Sequence, residues 1–323
     1  MGTRNKRLAR GLLVVFALCA SCAWSQGYPN KAIKIVVPFT PGGGNDVFGR
    51  TIAQKLSERL GQPVVVENKP GAGSIVGADY VAKSAADGYT LLVAQQALIL
   101  MPLVSKSLPF DVLKDFAAVG IGATQPMVVV VSNKLPVKSI NDLISYARAH
   151  PGKLSYATPG VGTPQHLATV WFMKMTGTQM VQVPYKGAAG MLADLMSGEV
   201  DVMFGALNST VSLIQAGKIR AIGLAERHRL PKYKDVQTVS ESVPGYEHTH
   251  WYGLVAPSGT PEAILTKLSD EQRAIVDMPD VREHLAKVGM DSNPSSAADM
   301  RRTIATEFDR WSKLVKDAGI GPQ

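Results

Sequence analysis

IKIVVPFTPGGGNDVFGR, residues 33–50, sets three glycines between an apolar run and an amphipathic one. A strand, a glycine loop and a helix in that order make a seat for a small anion, because the first amides of a helix lack partners and carry partial positive charge. Which anion it holds decides whether the chain is an enzyme. A phosphate-cradling P-loop needs four residues after its first glycine and then Gly-Lys-Ser/Thr. Here Asn45 and Asp46 follow Gly44, no lysine comes before Lys55, and an acid at the loop mouth would repel a triphosphate. The dinucleotide fingerprint wants glycines at the first, third and sixth places. Counted from Gly42 the sixth place is Val47, from Gly160 it is Gln165, and from Gly71 it is Val76, with Gly77 giving only a looser variant. No cofactor is expected.

The chain opens with MGTRNKRLAR, carrying Arg4, Lys6, Arg7 and Arg10 and no acid, followed by the apolar GLLVVFALCA. Ala23 and Ser25 then stand at the small positions before a cleavage point, the three-part layout of a secretory signal over residues 1–25. The apolar part is short for a membrane span. Both cysteines, Cys19 and Cys22, lie inside this segment, so the mature chain needs neither a disulfide nor a Cys nucleophile. CASC could instead make Cys22 a lipidation site, although Cys19 rather than Leu stands three before it. Loss of the four leader charges would lower the formal net charge from +8 to +4. That suits an anionic ligand and does not argue for nucleic acid, since no basic run is interleaved with aromatics.

Residues 26–323 exceed a comfortable single core, and apolar strands alternate with helical patterns throughout, which predicts two α/β units built on parallel sheets. In the first helix Phe48, Ile52, Leu56 and Leu60 fall four apart and Gly61 ends it. Ser139 caps SINDLISYARAH with Asp142 three residues on, and Thr260 as cap with Pro261 in the first helical turn marks another helix start. The second half repeats the order of the first, even in its loop text: TPGGG at 40–44 and TPGVG at 158–162 each join a strand to a helix. The expected fold class is α/β with two Rossmann-like lobes, 26–125 plus 250–323 forming one and 126–249 the other. Crossings near 124–128 and 246–252 would make a hinge.

Catalytic constellations are scarce. No Gly-x-Ser-x-Gly elbow occurs. His248 and His250 could clip a metal from one strand, but no third ligand stands at a matching spacing, so no metal is expected. His150, His228 and His284 read as surface residues. What remains is anion binding by helix N-termini, where glycines admit a ligand to the backbone without an intervening side chain. One such loop is no more than a tight turn; two matched loops facing a hinge can pinch one small anion.

YPNKAIKIVVPFTPGGGNDVFGRTIAQKLSERLGQPVVVENKPGAGSIVGADYVAKSAADGYTLL, SYATPGVGTPQHLA, VPYKGAAGMLADLMSGEVDVMF and WYGLVAPSGTP closely resemble the Bug-type solute receptors of the tripartite tricarboxylate transporters. The resemblance covers almost the whole mature chain. It implies a periplasmic binding protein of Venus-flytrap type, not an enzyme, that closes on a small organic acid or amino acid and hands it to membrane subunits. It places the first ligand loop at Phe39, Thr40, Gly43, Gly44, Asn45 and Asp46, whose backbone amides, with ordered water, take a carboxylate. The second loop is Thr158, Gly160, Gly162, Thr163 and His166, with further walls from Tyr185, Gly187, Ala206 and Asn208. A monomer is expected. Asp46 has an equal claim to capping the helix, and His166, Tyr185 and Phe39 to packing. Within the family the ligand-facing side chains vary, so amino acids, di- and tricarboxylates and aromatic acids all stay open. The rival is a secreted hydrolase or racemase using the same cleft, with Asp46 and His166 as its acid–base pair; a structural module would respond to no small molecule.

Overall fold

The computed structural model describes residues 27–319 apart from 106, 162, 186, 231, 232 and 318, so the leader with Cys19 and Cys22, and Gly162 of the second loop, lie outside the described residues. Two sheets carry the fold. The first has six strands in the order β11-β4-β10-β3-β1-β2, where β1 is Ile33–Val37, β2 Val64–Asn68, β3 Thr90–Gln95, β4 Phe116–Gln125, β10 His250–Pro257 and β11 Asp291–Ser292. The second has five, β7-β6-β8-β5-β9: β5 is Met127–Ser132, β6 Ser155–Thr158, β7 Val181–Pro184, β8 Val202–Ala206 and β9 Ile219–Leu224. The chain passes between sheets at Pro126 and returns before His250.

Each sheet is covered on both faces, which is why its strands read as unbroken apolar runs. On the first sheet Ile35, Val37, Leu91 and Val93 pack under α1 (Gly44–Leu60), α9 (Glu262–Val276) and α10 (Pro279–Lys287). Their alternate neighbours Val36, Leu92 and Ala94 pack under α2 (Ile75–Ala82), α3 (Gln96–Val104) and α11 (Ala297–Asp317). The predicted stripe is real: Phe48, Ile52 and Leu56 are fully buried and Leu60 partly so. On the second sheet Val129 and Val131 face α4 (Ile140–Ala149) and α5 (Pro164–Thr176), while Val128, Val130 and Met203 face α6 (Ala188–Ser197) and α7 (Leu207–Gln215). A short helix, α8 (Val239–Ser242), precedes the return crossing.

Two expectations are corrected. The sheets are mixed rather than parallel: β10 runs antiparallel to β3 and β4, and β5 antiparallel to β8 and β9. Both reversed strands come directly after a crossing. They start where β1, β3, β6 and β8 end and run away from it, so direction follows from where the chain enters. Thr260 is not the cap of α9; Pro261 is, and the Thr260 hydroxyl instead donates to the Pro257 carbonyl at 2.8 Å. Ser139 does cap α4, accepting from the Asp142 amide at 3.1 Å.

Candidate functional site

A cleft of about 490 Å³ opens between the two sheets, at the end where the parallel strands finish. From the first lobe Phe39 follows β1, Ala72 and Gly73 form a turn before α2, and Gln95, Ala97, Met101 and Ser105 come from the β3–α3 corner. Pro159, Val161, Thr163, Pro164, Gln165 and Ala206 close it from the second lobe. Gln125, Met127, His250 and Tyr252, at the two crossings, form its back. Helices α3, α5 and α7 start on this wall, so the positive ends of their dipoles are gathered at one place. None of the described lining residues is Lys, Arg, Asp or Glu.

The first loop owes its shape to Asp46. Its Oδ2 accepts from the Gly42 amide at 3.0 Å and from Arg50 Nε at 2.9 Å, and its Oδ1 from Asn68 Nδ2 at 2.9 Å. Asn68 Nδ2 also donates to the Phe39 carbonyl at 3.0 Å, tying both ends of the loop to β2. Burial alone would raise the Asp46 pKa, but the donors Arg50, Asn68 and the Gly42 amide outweigh it and hold it below the ordinary value. Gly42 takes φ +90°, open to glycine at little strain. The Gly43 carbonyl receives the amides of Asp46 and Val47, so those of Gly44 and Asn45 precede the first helical bond.

The second loop is stitched internally. The Thr158 hydroxyl accepts from the Gly160 amide at 3.2 Å, the Thr163 hydroxyl donates to the Gly160 carbonyl at 2.7 Å, and the Thr163 oxygen caps α5 through the His166 amide at 3.4 Å. His166 is buried with its ring stacked 6.4 Å from that of Tyr156, and burial lowers its pKa.

Of the residues expected in the site, Phe39, Thr163 and Ala206 line the cleft. Thr40 and Gly43 are exposed on the first loop, and Asn45, Asp46, Thr158 and His166 are buried behind the surface. Gly44 lies under the Tyr252 hydroxyl and Gly160 at φ +137° shapes its turn. Tyr185 donates to Asp194 Oδ2 at 2.7 Å, and burial, helped by that bond, pushes its pKa up to about 12. Gly187, extended at φ 173°, precedes α6. Asn208 serves a different contact: its Nδ2 donates to the Val288 carbonyl at 2.8 Å, joining the lobes beside a smaller hollow of about 270 Å³. Neither Asp46 nor His166 lines the cleft, and both Asp46 oxygens are occupied.

Sequence reading missed the polar back wall. Gln95 and Tyr252 face each other across β3 and β10, and Gln125 and His250 across β4 and β10. Tyr252 Oη donates to Gln125 Oε1 at 2.7 Å and Asn45 Nδ2 to Gln95 Oε1 at 3.3 Å. Burial brings the His250 pKa down to about 4, so its imidazole is neutral at physiological pH, and burial also raises the Tyr252 pKa. Residues 72–74 all take positive φ, at 45°, 67° and 95°, and two of them are not glycine. Strain of this kind gathers at binding sites; the glycines of KPGAGS were its only trace in the sequence.

A sequence profile for the tripartite tricarboxylate transporter family receptor matches residues 48–320. Protein BugT of Bordetella pertussis is 34% identical over 316 residues, spanning 96% of this chain and 96% of its own. Among solved structures, an R. palustris protein with adipate is 38% identical at a TM-score of 0.81, covering 92% of this chain and all (100%) of its own. MatC from Rhodopseudomonas palustris, with bound malate, is 30% identical at a TM-score of 0.75 and covers 89% of this chain and 100% of its own. A profile match over most of its length, joined to relatives that share its two-lobed architecture almost end to end, shows that the chain belongs to the receptor family of the tripartite tricarboxylate transporters.

Proposed function

We propose that this protein is a non-catalytic periplasmic receptor that captures a small carboxylate-bearing solute between its lobes and delivers it to the membrane subunits of a tripartite transporter. Residues 1–25 act as the export signal, 26–125 with 250–323 form one lobe, and 126–249 form the other. The observation that carries the reading is the cleft itself. It lies at the strand ends of both sheets, gathers helix N-termini, and among the described residues presents no acid–base pair poised for proton transfer. The relatives with adipate and with malate hold ligands of that chemistry. The anion is met by backbone amides of the two loops, Phe39 to Asp46 and Thr158 to His166.

A thermal-shift screen of the mature protein against organic acids, with the acid recovered and identified afterwards, tests the proposal. Stabilisation by one or a few carboxylates, each recovered unchanged, is expected. Stoichiometric conversion of the acid would establish an enzyme instead, and no response to any carboxylate would remove the capture role.

A further inference from the structure

Resting on the reading of this cleft as the ligand site, its back wall narrows the kind of acid it takes. Gln95 ends β3 and Gln125 ends β4, on either side of β10, and both are nearly buried, at 8% and 6% exposure. Each carboxamide oxygen is occupied, that of Gln95 by Asn45 Nδ2 and that of Gln125 by the Tyr252 hydroxyl. A carboxamide whose oxygen is held this way turns its NH₂ to the other side. Neither Nε2 has a partner among the described residues, and both side chains border the cleft. Two neutral donors, with their acceptors already spent inward, ask for an acceptor from the cleft side.

Much of the remaining wall is apolar, with Phe39, Ile75, Met101, Met127 and Val161 facing the same space beside the uncharged polar groups of Ser105, Thr163, Gln165 and Tyr252 and the imidazole of His250. Neutral donors and helix amides can take the place of water around one carboxylate, or around two at opposite ends of a ligand. A third ionised group brought out of water would need a cation, and no lining residue among those described is Lys or Arg.

We propose that Gln95 and Gln125 set the charge specificity of the receptor, holding a carboxylate through uncharged amide donors and selecting acids with one or two carboxylates on an apolar body over tricarboxylates.

The test is titration calorimetry on the mature protein at constant ionic strength. Its panel is benzoate, adipate and malate against citrate, isocitrate and tricarballylate. The tightest member is expected from the first group, at least tenfold ahead of every tricarboxylate. A tricarboxylate as the tightest ligand overturns the proposal. Binding of no member removes the capture role itself, a different outcome. Gln95→Glu and Gln125→Glu each keep the side-chain shape but add a negative charge, and should weaken the best acid at least tenfold. They should leave binding of its uncharged amide analogue, where measurable, within about threefold. Should either fail to fold, Gln→Met at that position removes the donors, and Gln→Arg should raise the ratio of citrate to adipate affinity at least tenfold. General structural damage would lower both affinities without moving the ratio. Unchanged acid affinity in the folded Glu or Met variants at both positions overturns the role given to these glutamines.

Discussion

A Cβ at Gly44 would stand 2.5 Å from the Tyr252 hydroxyl and 2.9 Å from Met290 Cε, so glycine here makes room for the cleft's own back wall. Gly44→Val should push Tyr252 off Gln125 and destabilise the fold by about 1–3 kcal/mol, the usual range for overpacking, with acid binding lost. At Gly43 a Cβ meets nothing within 4 Å and φ is −81°. Gly43→Ala should therefore leave stability within about 0.5 kcal/mol. Paired melting curves and titrations separate crowding of the wall from blocked access to the amides. Two acids carry opposite pH signatures. Asp46 is held below its ordinary value of 3.8, so its stabilisation is present above that pH and is lost as pH falls. Asp46→Asn should flatten the acid limb of the stability profile. Glu226 is pushed up from 4.5 to about 7, chiefly by burial, with Glu247 and Asp291 adding to it and bonds from Thr249 and the Met127 amide opposing. Folding here favours the protonated form, so stability falls as pH rises from about 4.5 to 7 and then levels. Glu226→Gln should raise stability at pH 8 by up to ~3 kcal/mol, and should shrink the difference between denaturation midpoints measured at pH 5 and pH 8.

Helix α11 shows what periodicity could and could not reveal. The amphipathic pattern of ADMRRTIATEFDRWSKLVKD is that of a helix, yet nothing local shows that its last turns reach the other lobe. There Trp311, Leu314 and Val315 join Leu100 of α3 and Leu167 of α5 in one apolar cluster, with Trp171 packed against it. Trp311→Ala should cost about 3–5 kcal/mol, as large aromatic truncations in a core do, and should weaken the grip between lobes; denaturant unfolding and scattering would register the two effects. Other elements were illegible for stated reasons. Helix α3, QALILMPLV, is apolar on every side and carries Pro102, so it has neither stripe nor clean propensity. Strand β4, FAAVGIGATQ, is rich in small residues because neighbours press on it: a Cβ at Gly122 would meet Phe48 at 2.7 Å, and one at Gly253 of β10 would meet the Gly120 carbonyl at 2.4 Å.

At the scale of the molecule, the doubled strand–loop–helix pattern was enough to foresee two α/β lobes, and the glycine loops lie at the end of each sheet where the cleft opens. Gln95, Gln125, His250 and Tyr252 were out of reach, because only the sheet order brings three strand ends into one wall. With loops from both lobes needed to surround a ligand, an acid can favour closure only through contacts made better when the lobes are shut. Residues 158–166 should approach 39–46 on binding by rotation about the crossings at Pro126 and before His250. Small-angle scattering with and without a saturating acid should show the envelope contract; an unchanged envelope would mean a preformed cleft. The aromatic cluster beneath α11 gives this motion an optical signature. Trp171 and Trp311 lie edge to face with ring centres 5.5 Å apart, Arg310 over the first and the His248 ring 5.1 Å from the second. Two indoles so close share their electronic excitation. Separation of the lobes would split that pair, so the near-ultraviolet dichroism and intrinsic fluorescence of the unlabelled protein should themselves record each opening and closing.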